Sequence, residues 1–224
     1  SEMCIRDSLT YVHSVNVALI ASILGQWLKF SEKDIRILTI SGLLHDIGKI
    51  MIPNEILTKP GKLTVAEYNI MKQHVNFGYE KVKNQNIDIR IKEACLLHHE
   101  KCDGTGYPFG LKSDHIPAVA KIIAIADVYD AMTSARVYRG ALCPFEVIDT
   151  MYKDAFTKFE PEYILPFLKN VASSYINNDV RLSDGRIGKV VLINENALSL
   201  PIVQCEDEFI DLSKTRGLTV SAIL

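Results

Sequence analysis

Five of the six histidines in this 224-residue chain lie in four short patches, so its fold must accommodate clustered imidazoles. One patch is the adjacent pair His98-His99, at the edge of a glycine-rich turn that ends in Gly106-Tyr107-Pro108. Neutral imidazole is the commonest metal ligand in proteins. The pair indicates hydrolytic metal chemistry with more than one ion, because further donors are available in His13, His45-Asp46, His74 and Asp127.

The composition excludes several classes of protein. Hydrophobic residues make up 48% and charged residues 23%, as is ordinary for a soluble globular protein. The net charge of −2 provides no basic field for nucleic acid, and no apolar stretch is long enough to span a membrane. Five scattered cysteines without a CxxC pair favour a reducing compartment. Since no signal pattern is present either, we expect a cytoplasmic protein that binds neither nucleic acid nor membranes.

Apolar residues recur at three- and four-residue intervals through most of the chain, which predicts helices. Thr64 followed by Glu67 is a capping box that begins one of them, and Ser31 followed by Asp34 resembles a second. A loop of roughly 15 residues, rich in glycine and proline, follows His99, and loops of that length usually serve a function. The predicted helices cover residues 9–27, 31–45, 64–79, 87–99, 116–133, 145–159 and 162–175.

The pattern changes after Asn178. Two β-rich runs flank Asp184-Gly185, which is a strong signal for a hairpin, and further short strands are predicted over residues 200–205, 209–212 and 218–224. The sequence therefore predicts a mainly α protein with a helical domain over residues 9–176 and a small β-rich C-terminal module over residues 177–224. Residues 1–8 show no clear pattern and are interpreted as a non-native or disordered leader.

Each candidate ligand also has an ordinary structural explanation. His45-Asp46 could cap a helix C-terminus, and His13 or His74 alone could be a buried histidine with hydrogen-bond partners. Asp127 is harder to explain in this way, because an ionised carboxylate in an apolar helix is costly unless it is paired or binds a metal. His115 lies in a polar loop and is expected to be exposed, without a role in a site.

Four separated motifs resemble, in order, those of the HD-GYP branch of the HD-domain phosphohydrolases, over residues 11–139. They are His13-Ser14 with Val17-Ala18, Leu44-His-Asp-Ile-Gly-Lys49, His74, and His98-His-Glu-x-x-Asp-Gly-x-Gly-Tyr-Pro108 with Ile125-Ala-Asp-x-Tyr-Asp-Ala-Met132. A His-Asp pair alone is common to many phosphohydrolases, whereas the run from the double histidine to Gly-Tyr-Pro is highly specific. The resemblance implies an HD-domain helical bundle that hydrolyses cyclic di-GMP.

The same resemblance implies a metal centre, since this family holds two or three ions, commonly iron or manganese. One ion would be held by His13, His45, Asp46 and Asp127, and a second by His74, His98 and His99, with Asp46 bridging. Mixed imidazole and carboxylate ligands suit iron, manganese or zinc, and an all-oxygen magnesium or calcium site is disfavoured. The resemblance implies iron first and manganese next, with zinc or nickel as alternatives. The nucleophile would be a hydroxide that bridges the two metals.

Residues that contact the substrate are implied as well. Lys49 would stabilise the charge that develops on a phosphate oxygen, and it shares the catalytic assignment with Asp46. Arg136 and Arg139 match positions from which the family grips phosphate, and two solvated charges in a polar loop are the competing explanation. Tyr107 would line the cleft, either by binding substrate or by holding the loop.

Three further acidic residues are given supporting roles. Glu100 and Asp103 are expected to orient the ligands and the loop without binding metal. Asp130, one turn beyond Asp127, is expected to be structural and to hydrogen-bond to a loop. Leu9 stands where some relatives carry a glutamate that recruits a third metal ion, so we expect two ions here.

The leading hypothesis is a metal-dependent phosphodiesterase that opens cyclic di-GMP to linear pGpG, with onward cleavage to GMP left open. One alternative is a phosphodiesterase for another cyclic dinucleotide such as cyclic GMP-AMP, because nothing in the sequence reads the base. Another is a signalling module that binds the nucleotide without cutting it. Regulation would come from the β module, from a homodimer, or from a regulatory domain or protein outside this chain.

Overall fold

The computed structural model describes residues 2–134 and 142–224, with side chains from Tyr11 onward. Contacts group the chain into two compact units, one made of Ser1–Ala131 with Thr157–Tyr163 and the other of Met132–Phe156 with Ile164–Leu224. The mainly α class with a small C-terminal sheet is confirmed. The helices are α1 (Glu2–Trp27), α2 (Glu32–Leu44), α3 (Asn54–Leu57), α4 (Val65–Lys72), α5 (His74–Val82), α6 (Ile89–Leu97), α7 (Ala118–Thr133), α8 (Pro144–Asp154) and α9 (Pro161–Ser174), with 3-10 turns at Ile47–Met51 and Ser113–His115.

Side-chain caps begin α4 and α2 where the sequence predicts them. The Thr64 hydroxyl accepts the Glu67 N–H at 3.3 Å, and the Glu67 carboxylate accepts the Thr64 N–H at 2.7 Å, which completes a capping box. At α2, the Ser31 hydroxyl accepts the Asp34 N–H at 3.2 Å, but the Asp34 carboxylate accepts from that same hydroxyl. Only one of the two hydrogen bonds of a capping box therefore forms at α2. That bond still pairs the Asp34 N–H, one of the backbone donors that have no partner within the helix at its start.

The prediction of a single helix over residues 64–79 is wrong. The chain forms two helices, α4 and α5, which are divided at Gln73. The Gln73 N–H bonds to the carbonyl three residues back, on Ile70, at 3.0 Å, which tightens the last turn of α4. The turn brings the start of α5 against Gly48, where a Cβ atom would lie 1.9 Å from the His74 carbonyl oxygen. This close approach fixes the position of His74.

Helix α7 is the buried helix that its apolar composition predicts. The side chains of Ile122, Ile123 and Ile125 are 0% exposed. Elsewhere in the first unit, α1 and α2 pack so closely that a Cβ atom on Gly42 would lie 2.5 Å from the Ala18 Cα atom. Such contacts leave little freedom to the helix ends that surround the candidate ligands.

The second unit contains an antiparallel sheet in the order β4-β3-β2-β1-β5. Gly185 has a φ of +93° in the predicted hairpin turn, where glycine is favoured. Helix α8 packs against β5, and α8 and most of α9 belong to the same compact unit as the sheet. The boundaries predicted at residues 8 and 176 stay predictions, although α1 already begins at Glu2. The strands are β1 (Asp179–Leu182), β2 (Ile187–Leu192), β3 (Ile202–Cys205), β4 (Glu208–Asp211) and β5 (Val220–Ile223).

Candidate metal centre

The seven residues predicted to bind metal meet at one place in the first unit. Helices α1 and α7 contribute one residue each, the first turn of α5 contributes another, and the remaining four follow the ends of α2 and α6. Four of them are buried, with exposed fractions of 0 to 3%. Their donor atoms form two groups in which all donors lie within 4.8 Å of one another: Asp46, His74, His98 and His99 form one, and His13, His45 and Asp127 form the other.

Asp46 lies between these two groups and presents one carboxylate oxygen to each. Its Oδ1 atom is 3.4 Å from His74 Nε2 and 3.9 Å from His98 Nε2. Its Oδ2 atom is 3.3 Å from His45 Nε2 and 3.7 Å from His13 Nε2. A carboxylate held in this way can bridge two cations, each of which would complete its coordination with imidazole nitrogens.

Backbone carbonyl groups fix the tautomers of three of the histidines. The Nδ1 atom of His45 lies 2.7 Å from the Gly42 oxygen, and that of His74 lies 2.8 Å from the Met71 oxygen. A third contact joins His98 Nδ1 to the carbonyl oxygen of residue 94 at 2.9 Å. A carbonyl oxygen only accepts, so each Nδ1 must donate and each Nε2 keeps a lone pair. The three lone pairs face the centre, and backbone support of this kind is usual for metal-binding histidines.

Unpaired polar atoms at the centre test whether a metal fits. Among the residues that the structure describes, His45 Nε2 and Asp46 Oδ1 are buried and have no hydrogen-bond partner. Leaving a buried acceptor unpaired costs about 1–3 kcal/mol, and more for a charged group. Both atoms are ligand atoms of the two groups, and mixed imidazole and carboxylate donors suit a transition metal. The donor set therefore fits a divalent metal site.

Burial keeps the imidazoles of one group neutral. It lowers the pKa of His74 and holds the pKa of His98 well below its ordinary value. Burial also lowers the pKa of His99 to about 4, against the attraction of Asp127. A metal ligand must be deprotonated, and these three side chains meet that condition near pH 7.

The two carboxylates stay ionised although burial opposes it. Burial alone would raise the pKa of Asp46, but nearby positive charge, chiefly that of the Lys49 ammonium, outweighs it and holds that pKa well below its ordinary value. Burial would also raise the pKa of Asp127, but opposing interactions, chiefly its hydrogen bond with His13, outweigh burial and lower that pKa. Lys49 donates to the Asp46 carboxylate while its side chain remains 26% exposed, which leaves the ammonium accessible to a ligand.

Asp130 accepts a hydrogen bond from His13 and so orients this ligand. The prediction from the sequence, which gave Asp130 only a structural role, missed this. The His13 Nδ1 atom lies 2.6 Å from Asp130 Oδ2, and the Asn16 amide donates to Asp130 Oδ1 at 2.9 Å. Burial lowers the pKa of His13, but hydrogen bonds to Asp127 and Asp130 outweigh it and raise that pKa to about 9, so a metal ion that binds His13 must displace a proton. The available signal was the spacing of the two aspartates, one helical turn apart on α7.

We expect Asp130→Ala to lower metal affinity at the group that contains His13 by about 10- to 100-fold, as is typical when a carboxylate that orients a ligand is lost. The group that contains His98 should keep its affinity. Asp130→Asn should recover part of the loss, because its amide oxygen can still accept the His13 Nδ1–H. Metal titration monitored by mass spectrometry measures both sites, with Asp114→Ala as the exposed control. Equal weakening of both groups would contradict a local role.

The loop after α6 is folded against the double histidine. The Tyr107 ring stacks on the His99 ring at a centroid distance of 4.7 Å and an angle of 25°. The Glu100 carboxylate is buried and accepts the Phe109 N–H at 2.7 Å, along with a second backbone N–H at 2.9 Å. A Cβ atom on Gly106 would lie 2.5 Å from the His99 carbonyl oxygen. Glu100 thus holds the loop close to His99, and its role in orienting the metal ligands stays a prediction.

Asp103 is exposed, accepts from the Thr105 N–H at 2.9 Å and the Thr105 hydroxyl at 2.7 Å, and pairs with Lys112 in a β-bridge within the loop. Its predicted role in orienting the ligands and the loop stays a prediction. His115 is exposed, as expected. The predicted roles of three residues cannot be placed, since Arg136, Arg139 and the side chain of Leu9 lie outside the described residues.

Residues 2–163 match the family model described as the HD domain. The chain is 37% identical over 199 residues to a cyclic di-GMP phosphodiesterase of Pseudomonas aeruginosa, covering 88% of this chain and 48% of that protein. It is 36% identical over 162 residues to a 3′3′-cGAMP-specific phosphodiesterase of Vibrio cholerae, covering 71% of this chain and 31% of that protein. The chain thus spans about half or less of the length of these relatives.

A solved structure shows the same fold. The HDG"Y"P protein Bd1817 from Bdellovibrio bacteriovorus superposes with a TM-score of 0.59 at 23% identity, covering 70% of this chain and 50% of that chain. Among the residues that the structure describes, no helix combines the length and the apolar character that a membrane span requires.

Proposed function

Because this chain belongs to the HD-domain family and carries the motifs of its HD-GYP branch, we propose that it is a metal-dependent phosphodiesterase that opens cyclic di-GMP to linear pGpG. The observation that carries the proposal is the position of Asp46, with one oxygen facing each group of imidazoles. Two-metal sites of this kind are built to cleave phosphoesters. The cyclic di-GMP phosphodiesterase to which the chain is 37% identical supports this choice of substrate.

In this proposal His13, His45 and Asp127 hold one ion, His74, His98 and His99 hold the other, and Asp46 is shared. When bound, a pair of transition-metal ions supplies Lewis acidity and makes water nucleophilic at neutral pH. Iron is our first assignment and manganese the second, as the resemblance to the HD-GYP branch implies, and mixed nitrogen and oxygen donors accept either metal. The chain's own contribution is to hold these donors in place, as the backbone bonds to the Nδ1 atoms do.

Lys49 and Tyr107 would act on the substrate. The partly exposed Lys49 ammonium lies beside Asp46 and is positioned to stabilise negative charge on the phosphoryl oxygens of the transition state. Tyr107 lies over His99 and would shield one side of the centre from water. Arg136 and Arg139 would add contacts to phosphate, a role that remains a prediction.

Cyclic GMP-AMP is the second candidate substrate, favoured by the 36% identity to the 3′3′-cGAMP-specific enzyme. No donor or acceptor in the metal centre distinguishes guanine from adenine, because the centre addresses only the phosphodiester. The cytoplasmic location, a homodimer and a regulatory domain or protein outside this chain also remain predictions.

Turnover of cyclic di-GMP by freshly purified protein tests the proposal. With iron and with manganese, each supplied anaerobically, we expect pGpG to appear, and chelation should abolish its formation because the ligands lose their ions. Cyclic GMP-AMP assayed alongside gives the substrate preference. If fully metallated protein forms no linear product from either dinucleotide, the enzyme proposal is wrong, and tight binding without turnover would then identify a signalling module.

A further inference from the structure

A cluster of one lysine and two tyrosines adjoins the metal centre without contributing a metal ligand. Tyr68 and Lys72 lie one turn apart on α4. The Lys72 ammonium is 5.2 Å from the centroid of the Tyr68 ring and 5.9 Å from that of the Tyr107 ring. Tyr107 in turn stacks on His99 and lies edge-on to His74, at centroid distances of 4.7 and 6.5 Å. We call Tyr68, Lys72 and Tyr107 the α4 platform.

Lys72 is available to bind an anion. Within the described part of the chain, no carboxylate lies within ion-pair distance of its ammonium, whereas Lys59 and Lys121 are paired with Glu67 and Glu160. Aromatic faces attract a cation without neutralising it. The ammonium therefore keeps its charge and its hydrogen-bond donors for a ligand at the edge of the metal centre.

Tyr68 offers an aromatic face to the same ligand, because 48% of its surface is exposed on a helix beside the centre. An exposed ring of this size is costly to leave in water. Any nucleobase can stack on such a ring, and stacking contributes about 1–3 kcal/mol of binding free energy per base. An anion-binding group and a stacking surface one helical turn apart match the phosphate and base of a nucleotide.

We propose that the α4 platform is a nucleotide subsite, in which Lys72 pairs with the phosphate that is not being cleaved and Tyr68 stacks on the adjoining purine. This inference rests on the proposed phosphodiesterase function and extends it to substrate class. It explains how the protein would select a cyclic dinucleotide over a small phosphodiester, since the metal centre itself addresses only the scissile group. Tyr107 joins the platform to the metal centre through its contact with His99.

Substitutions in the platform test the inference through KM and kcat for cyclic di-GMP. Lys72→Met and Tyr68→Ala should each raise KM about tenfold, the equivalent of losing about 1.4 kcal/mol of binding, while kcat changes by less than about threefold and metal content stays at the wild-type level. Lys72→Arg and Tyr68→Phe should stay near wild type, because they keep the cation and the ring. Lys81→Met on α5 and Tyr152→Ala on α8 are exposed controls outside the platform and should leave KM unchanged.

A second substrate separates a subsite from simple support of the metal centre. Bis(p-nitrophenyl) phosphate lacks a second phosphate. For this substrate, the fold loss in kcat/KM that Lys72→Met causes should be at least about fivefold smaller than the fold loss for cyclic di-GMP. Equal losses on both substrates, loss of metal, or KM values equal to those of the controls would overturn the inference.

Failure of the proposed function gives a different result. If wild-type protein cleaves no cyclic dinucleotide, equilibrium dialysis with cyclic di-GMP and the metallated protein decides the matter. Weaker binding by Lys72→Met and Tyr68→Ala than by the controls would support the subsite without the enzyme. Equal binding by all variants, or no binding by the wild type, would overturn the subsite as well.

Discussion

Replacement of Asp46 by alanine is expected to remove metal from both groups of ligands and to lower phosphodiesterase activity by more than about 100-fold. Each Asp46 oxygen faces a different group, at 3.3 Å from His45 Nε2 and 3.4 Å from His74 Nε2. Losing a residue that merely orients a ligand already costs about 10- to 100-fold in metal affinity or activity. Losing a shared ligand should cost more, because both groups give up a donor and the ionised carboxylate that faces them.

Metal content measured by mass spectrometry, together with cyclic di-GMP turnover, checks this result. Substitutions on either side provide the comparison, since His45→Ala should empty one group and His98→Ala the other. Asp114→Ala, an exposed aspartate outside the centre, should retain both ions and full activity. Two ions retained by folded Asp46→Ala protein would show that the carboxylate does not bridge.

The local sequence pattern predicts much of this structure because apolar spacing and caps act over a few residues. Helix α7 follows from its run of buried isoleucines, and α4 begins at Thr64 through the capping box. The break at Gln73 does not follow from the pattern, because the apolar spacing continues into α5 without proline or glycine at that point. What divides the helices is a contact between α5 and Gly48, which only the tertiary structure contains.

The candidate site likewise combines features that the local sequence predicts with features that depend on tertiary packing. The residue types and spacing of the motifs identify His45, Asp46 and His98, and the structure brings their donors together. The support that these residues receive is not visible in the motifs. Asp130 reaches His13 from a helix more than a hundred positions away in sequence, so its role depends on the packing of α7 beside α1. The α4 platform depends on a similar long-range approach.

Replacement of Gly48 by alanine should be the most damaging single methyl addition in the first unit. The added Cβ would lie 1.9 Å from the His74 carbonyl oxygen and 2.4 Å from the Gly78 nitrogen, both of which are backbone atoms. Overpacking of a side chain typically costs about 1–3 kcal/mol, and backbone atoms cannot move aside by changing rotamer. We therefore expect the free energy of unfolding to fall by about 3 kcal/mol or more.

Gly78→Ala provides a matched control from the other side of the same contact. There an added Cβ would lie 3.4 Å from the Gly48 nitrogen and 3.6 Å from Ile47 Cγ2, which are ordinary van der Waals distances. Alanine within α5 should also raise helix propensity by about 1 kcal/mol relative to glycine. Denaturant unfolding of the two variants should therefore give changes of opposite sign, and equal stabilities would contradict the close approach.

The same pair of variants links packing to metal binding, because Gly48 lies between Asp46 and Lys49 in sequence and against His74 in space. To admit a methyl group, the turn Ile47–Met51 must move away from α5, which would separate Asp46 from His74. Gly48→Ala protein that stays folded should consequently lose metal first from the group that contains His74. Titration of metal into both variants under native conditions measures this loss, and Gly78→Ala should bind both ions as the wild type does.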